Sequence, residues 1–161
     1  MITKTAFHIS SRTNSPKFIT PISGGKTSTG LFEEEQDCTV RALANSGDME
    51  YIDAHQVLKE HGRTNRTGTY FHTYHTAYLS CGFELCASYG TTQSARYTQY
   101  KTGIKQSKGI VLSKLLETIP EGSYIVLVTG HALSVIDGEV VDTVYTSTNK
   151  RVVALYKKID Y

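Results

Sequence analysis

Gly130-His131-Ala132-Leu133-Ser134-Val135-Ile136-Asp137-Gly138-Glu139-Val140-Val141-Asp142-Thr143 is the stretch whose reading decides the fold. Asp137-Gly138 stands between two apolar runs rich in β-branched residues. A two-residue type I′ turn needs positive φ at both central positions, which Asp and Gly tolerate, so the pair is a strong hairpin signal. Two antiparallel strands are therefore expected over residues 131–136 and 139–145. The turn also fixes the register, setting Ile136 opposite Glu139, Leu133 opposite Asp142 and His131 opposite Val144. Side chains alternate between faces, so His131, Leu133, Val135, Val140, Asp142 and Val144 share one side of the sheet.

His131 and Asp142 then become diagonal neighbours with Cα atoms roughly 7 to 8 Å apart, within reach of an imidazole–carboxylate hydrogen bond. Asp137 cannot serve, because it lies about 20 Å along the strand at a rise of roughly 3.3 Å per residue. One reading makes His131 the first residue of a strand and Asp142 a half-exposed polar group. The other makes them a general base and the carboxylate that orients it, and that reading needs a nucleophile elsewhere in the chain.

Cys38 is the candidate. The acidic run Glu33-Glu34-Glu35 leads into Gln36-Asp37-Cys38-Thr39-Val40-Arg41-Ala42-Leu43-Ala44-Asn45-Ser46-Gly47. Asp37 is a suitable N-cap, Ala42, Leu43 and Ala44 favour helix, and Gly47 is a stop, which puts Cys38 in the first helical turn. A thiol there meets unpaired backbone N–H groups and the positive end of the helix dipole, both of which favour the thiolate. The competing reading is a buried cysteine acting as a small hydrophobe. Arg41, one turn later, could assist ionisation of the thiol or pair with Glu33, Glu34 and Glu35.

Elsewhere, residues 1–30 are rich in Ser, Thr, Gly and Lys, with apolar anchors at Ala6-Phe7-His8-Ile9 and Phe18-Ile19, and read as an irregular arm with one short strand followed by a flexible connection. Gly24-Gly25-Lys26-Thr27 ends like a phosphate loop but lacks the first Gly at its spacing. Helices are expected over 50–61, with His55 and His61 on the solvated side, over 73–80, with Ala77, Tyr78 and Leu79 inward, and over 111–119. The loop Arg63-Thr64-Asn65-Arg66-Thr67-Gly68 could border a cleft. His72, His75, Cys81 and Cys86 have a spacing that matches no closed zinc pattern, so no metal is expected. Residues 87–108, with Tyr89, Arg96, Tyr97, Tyr100, Lys101, Lys105 and Lys108, read as extended strands or a mobile loop, or as a nucleic-acid surface of stacked aromatics and cations. Residues 124–129 form a continuous apolar run suited to a central strand, and 151–156 a last one.

The whole chain sets the limits. Its 161 residues with 39% hydrophobic content suit one domain with a real core. A net charge of +2 with both signs mixed implies no large field toward nucleic acid or membrane. No apolar run approaches the ~20 residues that span a bilayer, and Met1-Ile2-Thr3-Lys4-Thr5-Ala6 is no secretory leader, so a cytoplasmic location is expected. Three cysteines, an odd number, argue for reduced thiols.

A helix opened by a cysteine, further helices, and then an antiparallel sheet carrying a histidine and an aspartate resemble the papain-like cysteine peptidase fold. More narrowly, Asp37-Cys38-Thr39-Val40-Arg41-Ala42-Leu43 and the 130–143 segment are similar to small papain-like proteins of phages and bacteria, which carry Asp-Cys-x-x-Arg-Ala early and Gly-His…Asp-Gly…Asp-Thr late. That resemblance implies Cys38 as nucleophile, His131 as general base and acid, and Asp142 as the residue fixing the imidazole tautomer. It also implies an oxyanion hole from the Cys38 backbone N–H and one side-chain donor, for which Gln36 is the candidate. In the papain pattern that Gln lies several residues further upstream, a departure in this chain.

The expectation is therefore an α+β fold: an arm over 1–30, then a single papain-like domain over 31–161 with helices on a four- or five-stranded antiparallel sheet. The expected activity is a cysteine-dependent peptidase or amidase, without cofactor, on a protein or peptide substrate, in the host cytoplasm if phage-encoded. An acyltransferase on the same scaffold, a non-catalytic protein binding nucleic acid or a partner through 89–108, and a structural part docking through 1–30 are the alternatives.

Overall fold

The computed structural model describes residues 6–10, 16–19, 37–64, 68–142 and 146–159. In chain order the elements are β1 (Ala6–Ser10), β2 (Pro16–Ile19), α1 (Cys38–Ser46), α2 (Tyr51–Glu60), α3 (Phe71–Ser80), β3 (Phe83–Tyr89), α4 (Gln93–Thr102), β4 (Gln106–Ser107), α5 (Leu112–Thr118), β5 (Ser123–Val128), β6 (His131–Ile136), β7 (Glu139–Asp142) and β8 (Val152–Lys158). The fold is α+β.

The Asp137-Gly138 turn forms as expected, with φ of 50° and 82° at the two positions. It pairs Ile136 with Glu139, Val135 with Val140 and Ser134 with Val141; Val144 lies outside the described residues. A second tight turn, Thr129-Gly130, joins β5 to β6 with Val128 opposite His131, and Gly130 takes a φ of 73°, a region that suits a residue without Cβ. His131 is thus delivered by a hairpin at each end of β6.

These strands sit inside one sheet of order β2-β1-β7-β6-β5-β8-β3-β4. All neighbours are antiparallel except β3 and β4, which run parallel. The sheet is therefore larger than the four or five strands expected and is mixed. Residues of the N-terminal stretch supply two of its strands, β1 pairing with β7 and β2 with β1, where one short strand was expected.

Both faces are covered. Ile125, Leu127, Ala132, Ala154 and Tyr156 pack against Val40 and Leu43 of α1, Tyr51 and Leu58 of α2, and Ala77 and Tyr78 of α3. Tyr124, Val126, Val128, Leu133, Val135 and Val140 pack with Leu112, Leu115 and Leu116 of α5 on the other face. Alternate residues of β5 thus serve opposite cores, which is why 124–129 reads as an uninterrupted apolar run.

Several local expectations are corrected. Residues 87–108 hold the end of β3, the whole of α4 and β4 rather than an extended pair or a loop. The α4 helix is set by its ends: the Thr92 hydroxyl accepts from the Ala95 N–H at 3.1 Å, and Gly103 closes it with a φ of 70°. His55 is buried, not solvated, because it follows Tyr51 by four residues and precedes Leu58 by three, on the stripe that faces the core. Leu79 is 46% exposed, since the buried face of α3 runs through Thr73, Ala77 and Tyr78 and turns away from it. No helix among the described residues is long and apolar enough to cross a membrane.

Candidate active site

At one end of the sheet β5 and β7 finish while β6 and β8 begin, and the start of α1 lies over that end. Two buried hydroxyls fix the helix on the sheet. Ser134 Oγ on β6 donates to the Ala42 carbonyl at 3.0 Å, and Ser46 Oγ at the end of α1 donates to the Tyr124 carbonyl at 2.6 Å. From α3, the Tyr78 hydroxyl donates to the Thr39 carbonyl at 3.0 Å. The Thr39 and Ala42 carbonyls of α1 are thus bonded from α3 and β6, and Ser46 anchors the far end of the helix to β5, so α1 is held in position as well as in orientation.

Cys38, His131 and Asp142 meet at this end. His131 Nε2 and Asp142 Oδ2 are 2.5 Å apart, with the carboxylate 2% and the imidazole 14% exposed. The other ring nitrogen, Nδ1, is not taken up by Asp142, and the Cys38 thiol lies close enough to the imidazole for each to shift the other's proton affinity. The Ala132 backbone N–H, next to His131 on β6, also favours the thiolate. A carboxylate on Nε2 holds the proton at that nitrogen and leaves Nδ1 to exchange a proton with the thiol.

Burial pushes the Cys38 thiol up, but the hydrogen bond and charge of His131, the Ala132 N–H and the Arg41 guanidinium outweigh it, and the thiol lies below its ordinary value of 9.0. Burial likewise works against the His131 imidazolium, yet its bonds to Asp142 and Cys38 and their negative charges push it up to about 9. The two shifts favour moving the proton from sulfur to nitrogen. Cys86, by contrast, is pushed up by burial and by Glu84.

Asp37 occupies the N-cap position of α1 without capping it. Its carboxylate accepts from Arg41 Nη1 at 2.8 Å and from the Tyr51 hydroxyl at 2.8 Å, while Arg41 Nε lies 3.8 Å from Asp142 Oδ1. The i,i+4 spacing of Asp37 and Arg41 is the sequence signal that would have found this pair ahead of Glu33, Glu34 and Glu35, which lie outside the described residues. Helix geometry leaves the N–H groups of Cys38 and Thr39 without intrahelical acceptors. Gln36 also lies outside the described residues.

A cleft of about 510 Å³ opens over the thiol. Beyond Cys38 and His131 its walls include Thr69, Tyr74, Thr92, Ser94 and Val128, none of them singled out by sequence. Thr69 is placed by a 2.6 Å hydrogen bond between its hydroxyl and that of Thr39, so Gly68 and Thr69 of the loop after α2 do border the cleft. Arg63 of the same loop is buried instead.

His72, His75, Cys81 and Cys86 do not assemble: among the described residues no three His, Cys, Asp or Glu side chains form a group able to hold a metal. His75 Nδ1 contacts the Tyr156 hydroxyl at 2.7 Å and its ring stacks on Phe71. Comparison of the chain with protein-family models, curated proteins and solved structures gives no match.

Proposed function

We propose that this chain is a cysteine-dependent hydrolase of peptide or amide bonds with a papain-like arrangement, in which Cys38 is the nucleophile, His131 the general base and acid, and Asp142 the orienting carboxylate. The observation that carries the reading is a Cys38 thiol beside an imidazole whose Nε2 is held by a buried Asp142, with Cys38 and His131 lining one open cleft. A structural histidine has no need of a carboxylate on one nitrogen and a thiol beside the ring, together with access from solvent.

The Cys38 thiolate attacks the carbonyl carbon, and the oxygen takes up the electron pair. Backbone N–H groups at the start of α1, led by that of Cys38, stabilise the developing charge. As the tetrahedral species collapses, the C–N bond breaks and the imidazolium gives its Nδ1 proton to the departing amine, leaving a thioester on Cys38. Water, deprotonated by the now neutral His131, attacks the thioester; its collapse releases the acid and restores the thiolate and imidazolium. An amine in place of water would make the same site an acyltransferase.

Site-resolved alkylation with iodoacetamide at pH 6 tests the proposal: Cys38 reacts at least tenfold faster than Cys81 and Cys86, and loses that advantage in His131→Ala. Equal rates at the three thiols overturn it. Turnover of fluorogenic peptide and amide panels, abolished in Cys38→Ala, then separates peptidase from amidase.

A second reading has its own observation. From residue 85 to residue 116 the chain carries Arg96, Lys101, Lys105, Lys108 and Lys114 and no Asp or Glu. Tyr97 and Tyr100 on α4 are exposed, and Lys101 Nζ stands over both rings. Such a face suits a single nucleic-acid strand. Gel shifts that weaken steeply with salt and persist in Cys38→Ala support it, and the absence of any shift at low salt removes it.

A further inference from the structure

We propose that Arg41 is a positioning residue for the Cys38 and His131 pair, its guanidinium clamping the carboxylates of Asp37 and Asp142 on either side of the thiol. The inference rests on the thiol-hydrolase reading, but its test needs no substrate.

Arg41 follows Cys38 by three residues, so its side chain leaves the same face of α1 one turn on. Both carboxylates it meets are buried, each 2% exposed. Their roles differ. Asp142 holds His131 through Oδ2 and turns Oδ1 toward Arg41 Nε at 3.8 Å. With Oδ1 drawn to the guanidinium, the carboxylate cannot rotate freely, and the plane of the imidazole, hence the direction of Nδ1 toward the sulfur, is fixed with it. Planarity and fixed charge suit a guanidinium to this bridging position better than a flexible ammonium.

Asp37 supplies the second half of the argument. An aspartate at an N-cap ordinarily accepts from the backbone N–H groups of the first turn. Here the carboxylate is instead held by Arg41 on Oδ1 and by Tyr51, fully buried at the start of α2, on Oδ2. That hold keeps a negative charge off the N–H groups of Cys38 and Thr39, the donors a developing oxyanion would use. Without Arg41 the carboxylate is released toward those donors and toward Asp142. Arg41 Nε is buried as well, with Asp142 Oδ1 as its ion-pair partner.

Among the described residues the titratable and charged groups around the thiol are His131 from β6, Asp142 from β7, Arg41 and Asp37 from α1, and the hydroxyls of Tyr74 and Tyr78 from α3.

Site-resolved iodoacetamide rates on the full chain, followed from pH 5 to 10, test the proposal. In Arg41→Ala the inflection for Cys38 moves up by about one unit and the rate at pH 6 falls about tenfold. Arg41→Lys, which keeps the charge and loses the fork, recovers less than half of that fall. A profile superimposable on wild type in Arg41→Ala, or full recovery in Arg41→Lys, overturns the clamp. If Arg41→Ala does not fold, Tyr51→Phe replaces it: removing one hydroxyl from Asp37 lowers the pH 6 rate two- to threefold, and an unchanged rate overturns the inference. A wild-type Cys38 no faster than Cys81 and Cys86 removes both the clamp and the hydrolase reading; an activated Cys38 indifferent to all three variants removes the clamp alone.

Discussion

With the Cys38 thiol drawn below 9.0 and the His131 imidazolium pushed up to about 9, thiolate and imidazolium coexist in the interval between them. On the proposed hydrolase reading, turnover should hold a plateau there and fall above about pH 9 as His131 gives up the proton that a leaving amine would need. Asp142 is the first cause raising His131, so Asp142→Asn moves the alkaline limb down toward the ordinary histidine value and lowers kcat/KM about a hundredfold; a limb that stays near 9 would separate Asp142 from the imidazole. Stability has a matching sign. A histidine raised from 6.5 to about 9 stabilises the folded chain fully below pH 6.5 and loses that contribution as pH rises through 9. Urea titrations at pH 6 and pH 9.5 should show this loss in wild type and a smaller one in Asp142→Asn. At this scale the sequence was informative where spacing alone sufficed: the diagonal of His131 and Asp142 follows from a two-residue turn and a period of two. It was silent where a partner comes from far along the chain, and the contact of Arg41 with Asp142 depends on how a helix settles on a sheet.

How α1 settles depends on hydroxyls that bond backbone carbonyls across the core, Ser134 to Ala42 of α1 and Ser46 of α1 to Tyr124 of β5. Removing the Ser134 or Ser46 hydroxyl takes a donor away from a carbonyl that has other hydrogen-bonding capacity, so each Ser→Ala change should cost about 1 kcal/mol rather than the larger penalty of an orphaned group. The double variant, measured by urea unfolding, should lose about 2 kcal/mol, and its Cys38 labelling rate at pH 6 should fall because the helix start is less tightly held over β6. Unchanged labelling would mean that Tyr78 and the apolar face of α1 hold the thiol on their own. Elements announced by apolar rhythm or turn chemistry were legible: α1, α2, α5, β5 and the β6–β7 hairpin. The α4 helix was not, because its buried residues are only Ala95 and Thr98 and its identity lies in Thr92 and Gly103. The β3 strand did carry a signal, the alternation of Phe83, Leu85, Ala87 and Tyr89 with Glu84, Cys86 and Ser88, which a search for zinc ligands at Cys81 and Cys86 passed over.

At the scale of the molecule, the strand that carries Asp142 owes one of its two neighbours to residues far upstream. β7 is flanked by β6 on one side and β1 on the other, with Phe7 opposite Asp142, His8 opposite Val141 and Ile9 opposite Val140. Residues 1–30 give little sign of this in sequence, since Ser, Thr, Gly and Lys dominate and the short apolar segment does not name its partner; strand pairing over so long a separation is decided by the whole sheet. Deleting residues 1–19 removes β1 and β2 and leaves β7 with a row of unpaired backbone groups along its outer side. Open edges of that kind pair with other chains, so the truncated protein should self-associate with rising concentration in size-exclusion chromatography with light scattering. Its Cys38 labelling rate at pH 6 should fall as well, because the backbone opposite Phe7 is the one that sets the Asp142 carboxylate against His131. A truncated chain that stays monomeric and labels like wild type would show that the β6 ladder and the packing of Val140 are enough to hold the end of β7, and that the first two strands serve something other than the site.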